Sequence, residues 1–297
     1  MAFIQTLVDV RDACRRLAAS LLVEQNNKTY RHFLNSKQLH LGKISLYWWY
    51  PGYLNFGDAL SPLIVMGLSG RELSYPLLPD RSGPNLLAVG SILKFANEGD
   101  LIWGAGLRTA EDLIKAKRLD IRAVRGPLTR DVLLKQGFDC PKVYGDPALL
   151  MPRLFKPSLP AFRYKVGIIK HLGDRTDWGK QDSSVVRMIN VRDNPLTVIE
   201  QICSCDVILS SSLHGVIIAE AYGIPVCCLS PESSLWKSYR EEDFKYRDYY
   251  LSTSRDLLVY TYAQGNVDID KAIGMALSGP KPVIDLEPLL MSFPFLK

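Results

Sequence analysis

Short β-branched runs that end in small or polar turns and lead into helical patterns recur along this chain. That alternation leaves few folds open to it. The clearest unit is Cys205-Asp206-Val207-Ile208-Leu209, then Ser210-Ser211-Ser212-Leu213-His214-Gly215, then Val216-Ile217-Ile218-Ala219. The spacing predicts a strand over 206–209 and a helix over 216–222, closed by Gly223 and Pro225. Similar units precede it, with strands at 44–49, 86–89, 100–103, 121–124 and 142–143. Helices are predicted at 58–66 and 127–136, the second with Pro127 in its first turn. Further on, a strand at 164–169, a helix at 195–204 and a strand at 225–229 continue the pattern. Strands alternating with helices predict a mostly parallel sheet covered on both faces.

The stretch from Met151 to Pro160 carries prolines 152, 157 and 160 and reads as a linker. A chain of 297 residues suits two domains. The expected fold is therefore α/β, with two doubly wound Rossmann-like lobes and a cleft between them. Residues 1–152 form the first lobe, 160–275 the second, and 276–297 a closing tail. Ligands of open α/β sheets bind beyond the carboxyl ends of the strands.

Residues 1–25 place apolar side chains at three- and four-residue spacings, an amphipathic helix. It would pack on its own lobe or lie on a membrane surface. Asp9, Arg11, Asp12, Arg15 and Arg16 break up any secretory h-region, and no run of eighteen apolar residues occurs. These features predict a cytoplasmic protein. The net charge of +5 is spread without a dense basic block, so nucleic-acid binding is not expected. Cys203 and Cys205, and the adjacent Cys227 and Cys228, have no zinc or thioredoxin spacing. They read as free thiols in a reducing compartment. No metal-ligand cluster, Walker loop, full G-x-G-x-x-G or G-x-S-x-G is present, so no metal and no cofactor are expected.

The turn at 210–215 gathers free backbone N–H groups at the positive end of a helix dipole, which suits an anion. His214 adds a side chain that exchanges protons near neutral pH. The other reading is a serine N-cap beside a packed core histidine. Four further motifs lie at strand ends or helix starts: Asn55-Phe56-Gly57-Asp58, Trp103-Gly104-Ala105-Gly106, Val124-Arg125-Gly126-Pro127 and Tyr144-Gly145-Asp146-Pro147. Phe244-Lys245-Tyr246-Arg247-Asp248-Tyr249-Tyr250 follows the histidine turn.

In order and spacing these motifs resemble the polysaccharide pyruvyltransferase family, most closely the ketal pyruvate transferases of bacterial exopolysaccharide assembly. The match runs from about Trp48 to Tyr250. The resemblance implies a two-lobed, GT-B-like arrangement, with the acceptor on the first lobe and the donor on the second. It implies transfer of pyruvate from phosphoenolpyruvate to two hydroxyls of one sugar, forming a cyclic ketal and releasing phosphate. Phosphoenolpyruvate is then a donor substrate and a lipid-linked oligosaccharide the acceptor. Such an acceptor would bring the enzyme to the inner face of the cytoplasmic membrane.

That chemistry needs positive charge for a phosphate and a carboxylate, an acid for the donor methylene and a base for the attacking hydroxyl. The resemblance places the family's functional histidine at His214, in the proton-handling role, with Ser211, Ser212, Leu213 and Gly215 around the donor. Some relatives have a basic residue where this chain has Ser212. Arg125, at a helix start, could grip the donor's carboxylate or phosphate. His171 is expected as a phosphate ligand or second proton carrier, with Lys170 adding charge. Asp58 reads equally as the general base or as a helix cap. Asn55 and Gly57 shape its loop, and Gly104 and Gly106 would allow a ligand near the backbone. Trp49 and Tyr53, in the cluster with Trp48 and Tyr50, offer aromatic faces to a sugar. Asp146 reads mainly as a turn brace. A nucleotide-sugar glycosyltransferase and a catalytically silent carbohydrate-binding protein are the competing readings.

Overall fold

The computed structural model describes residues 42–50, 53–75, 84–158, 162–179, 181–231, 237–262 and 267–296. The helix expected over residues 1–25 lies outside them.

The first lobe is a five-stranded parallel sheet in the order β2-β1-β3-β4-β5. Its strands are β1 (Ile44–Tyr47), β2 (Leu73–Ser74), β3 (Leu86–Leu87), β4 (Leu101–Trp103) and β5 (Asp120–Ala123). Between them run α1 (Phe56–Ser69), ended by Gly70 in the left-handed region at φ 60, and α2 (Pro127–Lys135) after β5. The second lobe is another five-stranded parallel sheet, in the order β10-β9-β8-β6-β7. It contains β6 (Tyr164–Ile169), β7 (Val186–Ile189), β8 (Cys205–Ser210), β9 (Val226–Pro231) and β10 (Val259–Tyr262). Its helices are α4 (Pro195–Cys203), α5 (Leu213–Ala221), α6 (Lys237–Ser252) and α7 (Ile269–Ser278). The expected architecture of two Rossmann-like α/β lobes is the observed one.

Two local expectations change. The strand at 142–143 reduces to a parallel bridge between Val124 and Tyr144, because Pro141 and the positive φ of Gly145 (138°) leave too little extended backbone to pair. The Pro-rich stretch is not a linker from its start. A 3₁₀ turn at Pro147–Leu150 runs into α3 (Met151–Leu154). Pro152 sits in the first turn of α3, where a missing N–H costs nothing. Met151 and Phe155 are buried, and Tyr222 Oη donates to the Phe155 carbonyl (2.8 Å).

One core runs through both lobes. Leu46, Phe56, Leu60 and Ile64 of the first pack in the same cluster as Leu150, Ile199, Val216 and Ile218. Each such side chain contributes about 1.5–3 kcal/mol by leaving water. Separate clusters cover the outer faces, around Leu87, Ile102 and Leu133 in lobe one and around Ile168, Leu209 and Leu229 in lobe two.

After α7 the chain returns to lobe one. There α8 (Glu287–Met291) offers its Leu289 carbonyl to the Trp103 indole N–H (2.8 Å), and Phe293 packs on the Trp103 ring (4.4 Å between centroids). No helix among the described residues is long and apolar enough to cross a membrane. They also hold no metal-ligating cluster.

Candidate functional site

The carboxyl ends of β1 and β3 face those of β6 and β8 across the lobe boundary, and a cavity of about 490 Å³ opens there. Lobe one supplies Trp49, Tyr53, Asn55, Gly57, Asp58 and Ser91; lobe two supplies His171, Ser212, Leu213, His214 and Lys245. A second cavity of about 290 Å³, lined in part by Glu220, Arg255 and Lys281, lies at the opposite, N-terminal edge of β9. There Arg255 and Glu220 are paired with each other (2.8 Å).

The N-terminus of α1 forms one wall. Asn55 occupies the N-cap position, yet its amide donates to Asp58 Oδ2 (2.6 Å). Asp58 therefore lies inside the first turn and does not cap the helix. Pro62 removes the N–H that would bond the Asp58 carbonyl, leaving that turn less constrained. Burial pushes the Asp58 carboxyl up to about 6, against the opposing pull of the Asn55 hydrogen bond and the His214 and Lys245 charges. The Phe56 N–H donates to the Val191 carbonyl (2.8 Å), which ties this helix start to lobe two.

The N-terminus of α5 forms the opposite wall. Ser210 Oγ accepts from the Ser212 N–H (3.1 Å) and donates to the Ser212 carbonyl (2.9 Å), locking the turn. The N–H groups of the first helical turn, from Leu213 to Gly215, begin at the cavity. Ser211 is fully buried behind it. Its hydroxyl accepts from the His171 N–H (3.0 Å) and donates to Asp174 (2.6 Å), and its carbonyl accepts from Tyr246 (2.8 Å). Ser211 thus positions His171, which lines the cavity, and does not itself reach it.

His214 is buried to 13% side-chain exposure. Its Nε2 points away from solvent, 3.5 Å from Oδ2 of the fully buried Asp146. At that separation the contact is not a hydrogen bond: neither atom has a hydrogen-bond partner. Nδ1 lies against Gly57, where a Cβ would stand 2.2 Å from it. Gly57 is therefore present because the imidazole needs its space.

Arg125 does not face the cavity. It is fully buried, with Nε donating to Asp248 (3.1 Å), Nη1 to Ser91 Oγ (2.6 Å) and Nη2 to the Leu107 carbonyl (2.6 Å). Asp248 also accepts from the Thr129 N–H (2.9 Å) and hydroxyl (2.6 Å). A Cβ at Gly106 would meet the guanidinium at 2.4 Å, and one at Gly126 would meet the Asp248 carbonyl at 2.0 Å. The Val-Arg-Gly-Pro motif fastens α2 to α6 instead of presenting a free guanidinium, and Arg125 touches the cavity only through Ser91. Gly104 packs on Pro147, so neither glycine of that motif lines the cavity. Lys170 also turns away, donating to the Thr176 carbonyl (2.5 Å).

The cations on the cavity wall are Lys94, Arg108 and Lys245. Lys245 is 8% exposed and lies on α6 one turn before Asp248. The Arg125–Asp248 pair thereby holds Lys245 in place. At the mouth, Trp49 (43% exposed) stacks on Phe95 with ring centroids 5.4 Å apart. Arg192 covers Tyr53 (4.9 Å to its centroid). Trp48 is core, as are Tyr246, Tyr249 and Tyr250.

The sequence marks Lys245 and Asp248 only as part of the Phe244–Tyr250 motif and assigns neither a role, because α6 is rich in charge and lacks an apolar stripe. The tyrosines at 246, 249 and 250 are the usable signal for its buried face.

Two α/β lobes thus meet at a pocket that brings a helix N-terminus, His214 and Asp58 beside an aromatic mouth. The chain is a member of the polysaccharide pyruvyl transferase family, whose model matches residues 22–233. It is 31% identical over 176 residues to an uncharacterized protein of Acanthamoeba polyphaga mimivirus, covering 56% of this chain and 59% of that one. It is 27% identical over 223 residues to the succinoglycan biosynthesis protein ExoV of Rhizobium meliloti, covering 68% of this chain and 63% of that one. The matches thus span about three fifths of these relatives' lengths. A solved structure of a functionally uncharacterized Klebsiella pneumoniae protein overlaps 80% of this chain and 98% of that one, at 14% identity and a TM-score of 0.37.

Proposed function

We propose that this protein transfers pyruvate from phosphoenolpyruvate to two hydroxyls of one sugar in an exopolysaccharide repeat unit. The observation that carries this reading is the convergence of the α5 N-terminus, Lys245, His214 and Asp58 on one cavity. The helix N-terminus and Lys245 suit the donor's phosphate and carboxylate. His171 faces the same space.

His214 gives a proton to the donor methylene, making an oxocarbenium-like carbon. Asp58, with its raised pKa, accepts the proton of the first sugar hydroxyl as that oxygen bonds to the carbon. The C–O bond to phosphate then breaks. The second hydroxyl closes the ring, its proton leaves with the phosphate, and exchange with solvent returns the Asp58 proton to His214. Atoms and charge balance: phosphoenolpyruvate and a diol give a pyruvate ketal and inorganic phosphate. Trp49 and Tyr53 offer the acceptor ring apolar faces at the mouth. A lipid-linked acceptor would place the enzyme at the inner membrane surface.

The test is a thermal-shift titration with phosphoenolpyruvate beside a panel of nucleotide sugars, followed by assay of phosphate release with candidate acceptors. A ligand that binds only the folded chain raises the melting temperature. Stabilisation by phosphoenolpyruvate alone supports the proposal. Stabilisation by a nucleotide sugar alone replaces it with a glycosyltransferase. Sugar binding that survives His214→Ala, with no turnover by the parent protein, points to a silent carbohydrate-binding protein.

A further inference from the structure

We infer that Asp146 is a positioning residue for His214, acting from the opposite lobe to hold the ring's proton on Nε2 and leave Nδ1 as the nitrogen that exchanges protons with substrate. The inference deepens the proposed function and rests on it for the identity of the substrate.

Two observations carry it. First, Asp146 is buried with its two oxygens in different roles. Oδ1 accepts from the Ala148 N–H (3.0 Å), capping the 3₁₀ turn. Oδ2 has no hydrogen-bond partner and faces His214 Nε2, also without one, at 3.5 Å. A buried carboxylate oxygen that accepts nothing costs free energy unless a donor comes to it. Among the described residues, the atom that faces it is a ring nitrogen that can carry a hydrogen. Closing the 3.5 Å gap would complete the bond.

Second, the ring's other edge is fixed by Gly57. Nδ1 rests where a side chain at 57 would be, on the wall shared with Asn55 and Asp58. The ring therefore has a buried nitrogen facing an acceptor, and its other nitrogen lies against Gly57 on the cavity wall. A carboxylate at one nitrogen selects the tautomer in which that nitrogen is protonated. The logic is that of an aspartate behind a catalytic histidine, here divided between two lobes. Asp146 comes from the turn after the Val124–Tyr144 bridge and His214 from the start of α5.

The decisive experiment is ¹⁵N NMR of histidine-labelled protein, comparing the parent chain with Asp146→Asn. The chain has four histidines, so His214→Gln identifies the signal by difference. Asparagine keeps an oxygen for the Ala148 N–H and turns an NH₂ toward Nε2. The parent should show His214 protonated on Nε2, and Asp146→Asn should move the proton to Nδ1. Its thermal melt should stay close to the parent's, because the cap survives. With phosphoenolpyruvate as donor, kcat should fall by about 10²- to 10⁴-fold while donor KM changes little. An unchanged tautomer in a folded Asp146→Asn protein overturns the inference, as does an Nδ1–H tautomer in the parent. These spectra need no substrate, so they stand apart from the fate of the pyruvyl-transfer reading. That reading fails instead if phosphoenolpyruvate does not bind.

Discussion

Gly57 and His214 meet across the lobe boundary so closely that one added carbon would put a Cβ 2.2 Å from the imidazole Nδ1. The glycine of Asn-Phe-Gly-Asp and the histidine of Ser-Leu-His-Gly are two halves of one steric arrangement. Alanine is the better helix former by about 1 kcal/mol. Gly57→Ala should therefore melt within a few degrees of the parent while losing at least about tenfold in kcat. Differential scanning calorimetry beside steady-state kinetics checks both. Full activity in that variant would mean that the observed ring position is not the working one.

Arg125 and Asp248 form a fully buried pair with every guanidinium nitrogen engaged. Removing one partner strands a charge, at a cost of about 3–5 kcal/mol. Arg125→Met and Asp248→Asn should each lower stability by that order in urea unfolding. The double variant should lose less than the sum. A strictly additive double variant would show that the two residues act separately. Loss of donor binding in Arg125 variants must be read beside their stability.

The pH dependence follows from Asp58. Its folded pKa is raised from 3.8 to about 6 by burial. In the proposed role of base it would work ionised, so kcat/KM should rise with pH through about 6, and Asp58→Asn should remove that limb. The stability effect has the opposite sense. A raised carboxyl binds more protons folded than unfolded, so its ionisation destabilises the fold as pH climbs from 3.8 to about 6. The full shift corresponds to about 3 kcal/mol, and the opening onto the cavity reduces it. Urea midpoints of the parent should fall relative to those of Asp58→Asn across that window.

Lys245 is the buried cation on the cavity wall. Replacing it with methionine removes a charged donor worth about 1.5–3 kcal/mol, or about 10- to 100-fold in donor KM. The effect on kcat should be smaller. Lys245→Arg should recover part of the binding. If KM for phosphoenolpyruvate is unchanged, the donor's charge is met elsewhere, with Lys94 and Arg108 next to be tested.

The strand-to-helix units around 164–169 and 205–221 are legible because buried parallel strands are continuous apolar runs and their turns carry glycine, serine and asparagine. The same cues give α1 and α2 to within a few residues. The edge strands β2, β7 and β10 are not legible. They are short and half-exposed, and Arg187 and Met188 break the apolar signal of β7. Among the site residues at strand ends and helix starts, Asp58, His171, Ser212 and His214 line the cavity. Arg125, Gly104 and Gly106 occupy similar positions but spend their contacts inside the protein. Only three-dimensional packing distinguishes the two cases. Asp146 is the reverse case, a turn residue whose second oxygen meets a histidine 68 positions away in the chain.

Because Phe56, Ile64, Leu150, Ile199, Val216 and Phe293 share one core, the two sheets cannot swing apart without bringing that core into water. Exposing four such side chains would cost roughly 6–12 kcal/mol. A state that high is populated less than about once in 10⁴ molecules. Traffic to and from the pocket should then depend on the segments at its mouth, near Trp49, Phe95 and Leu172. Loops of that size rearrange in nanoseconds to microseconds. Turnover would be timed by bond making or phosphate escape, and solvent viscosity should slow it far less than it slows an enzyme that must close a domain on every cycle.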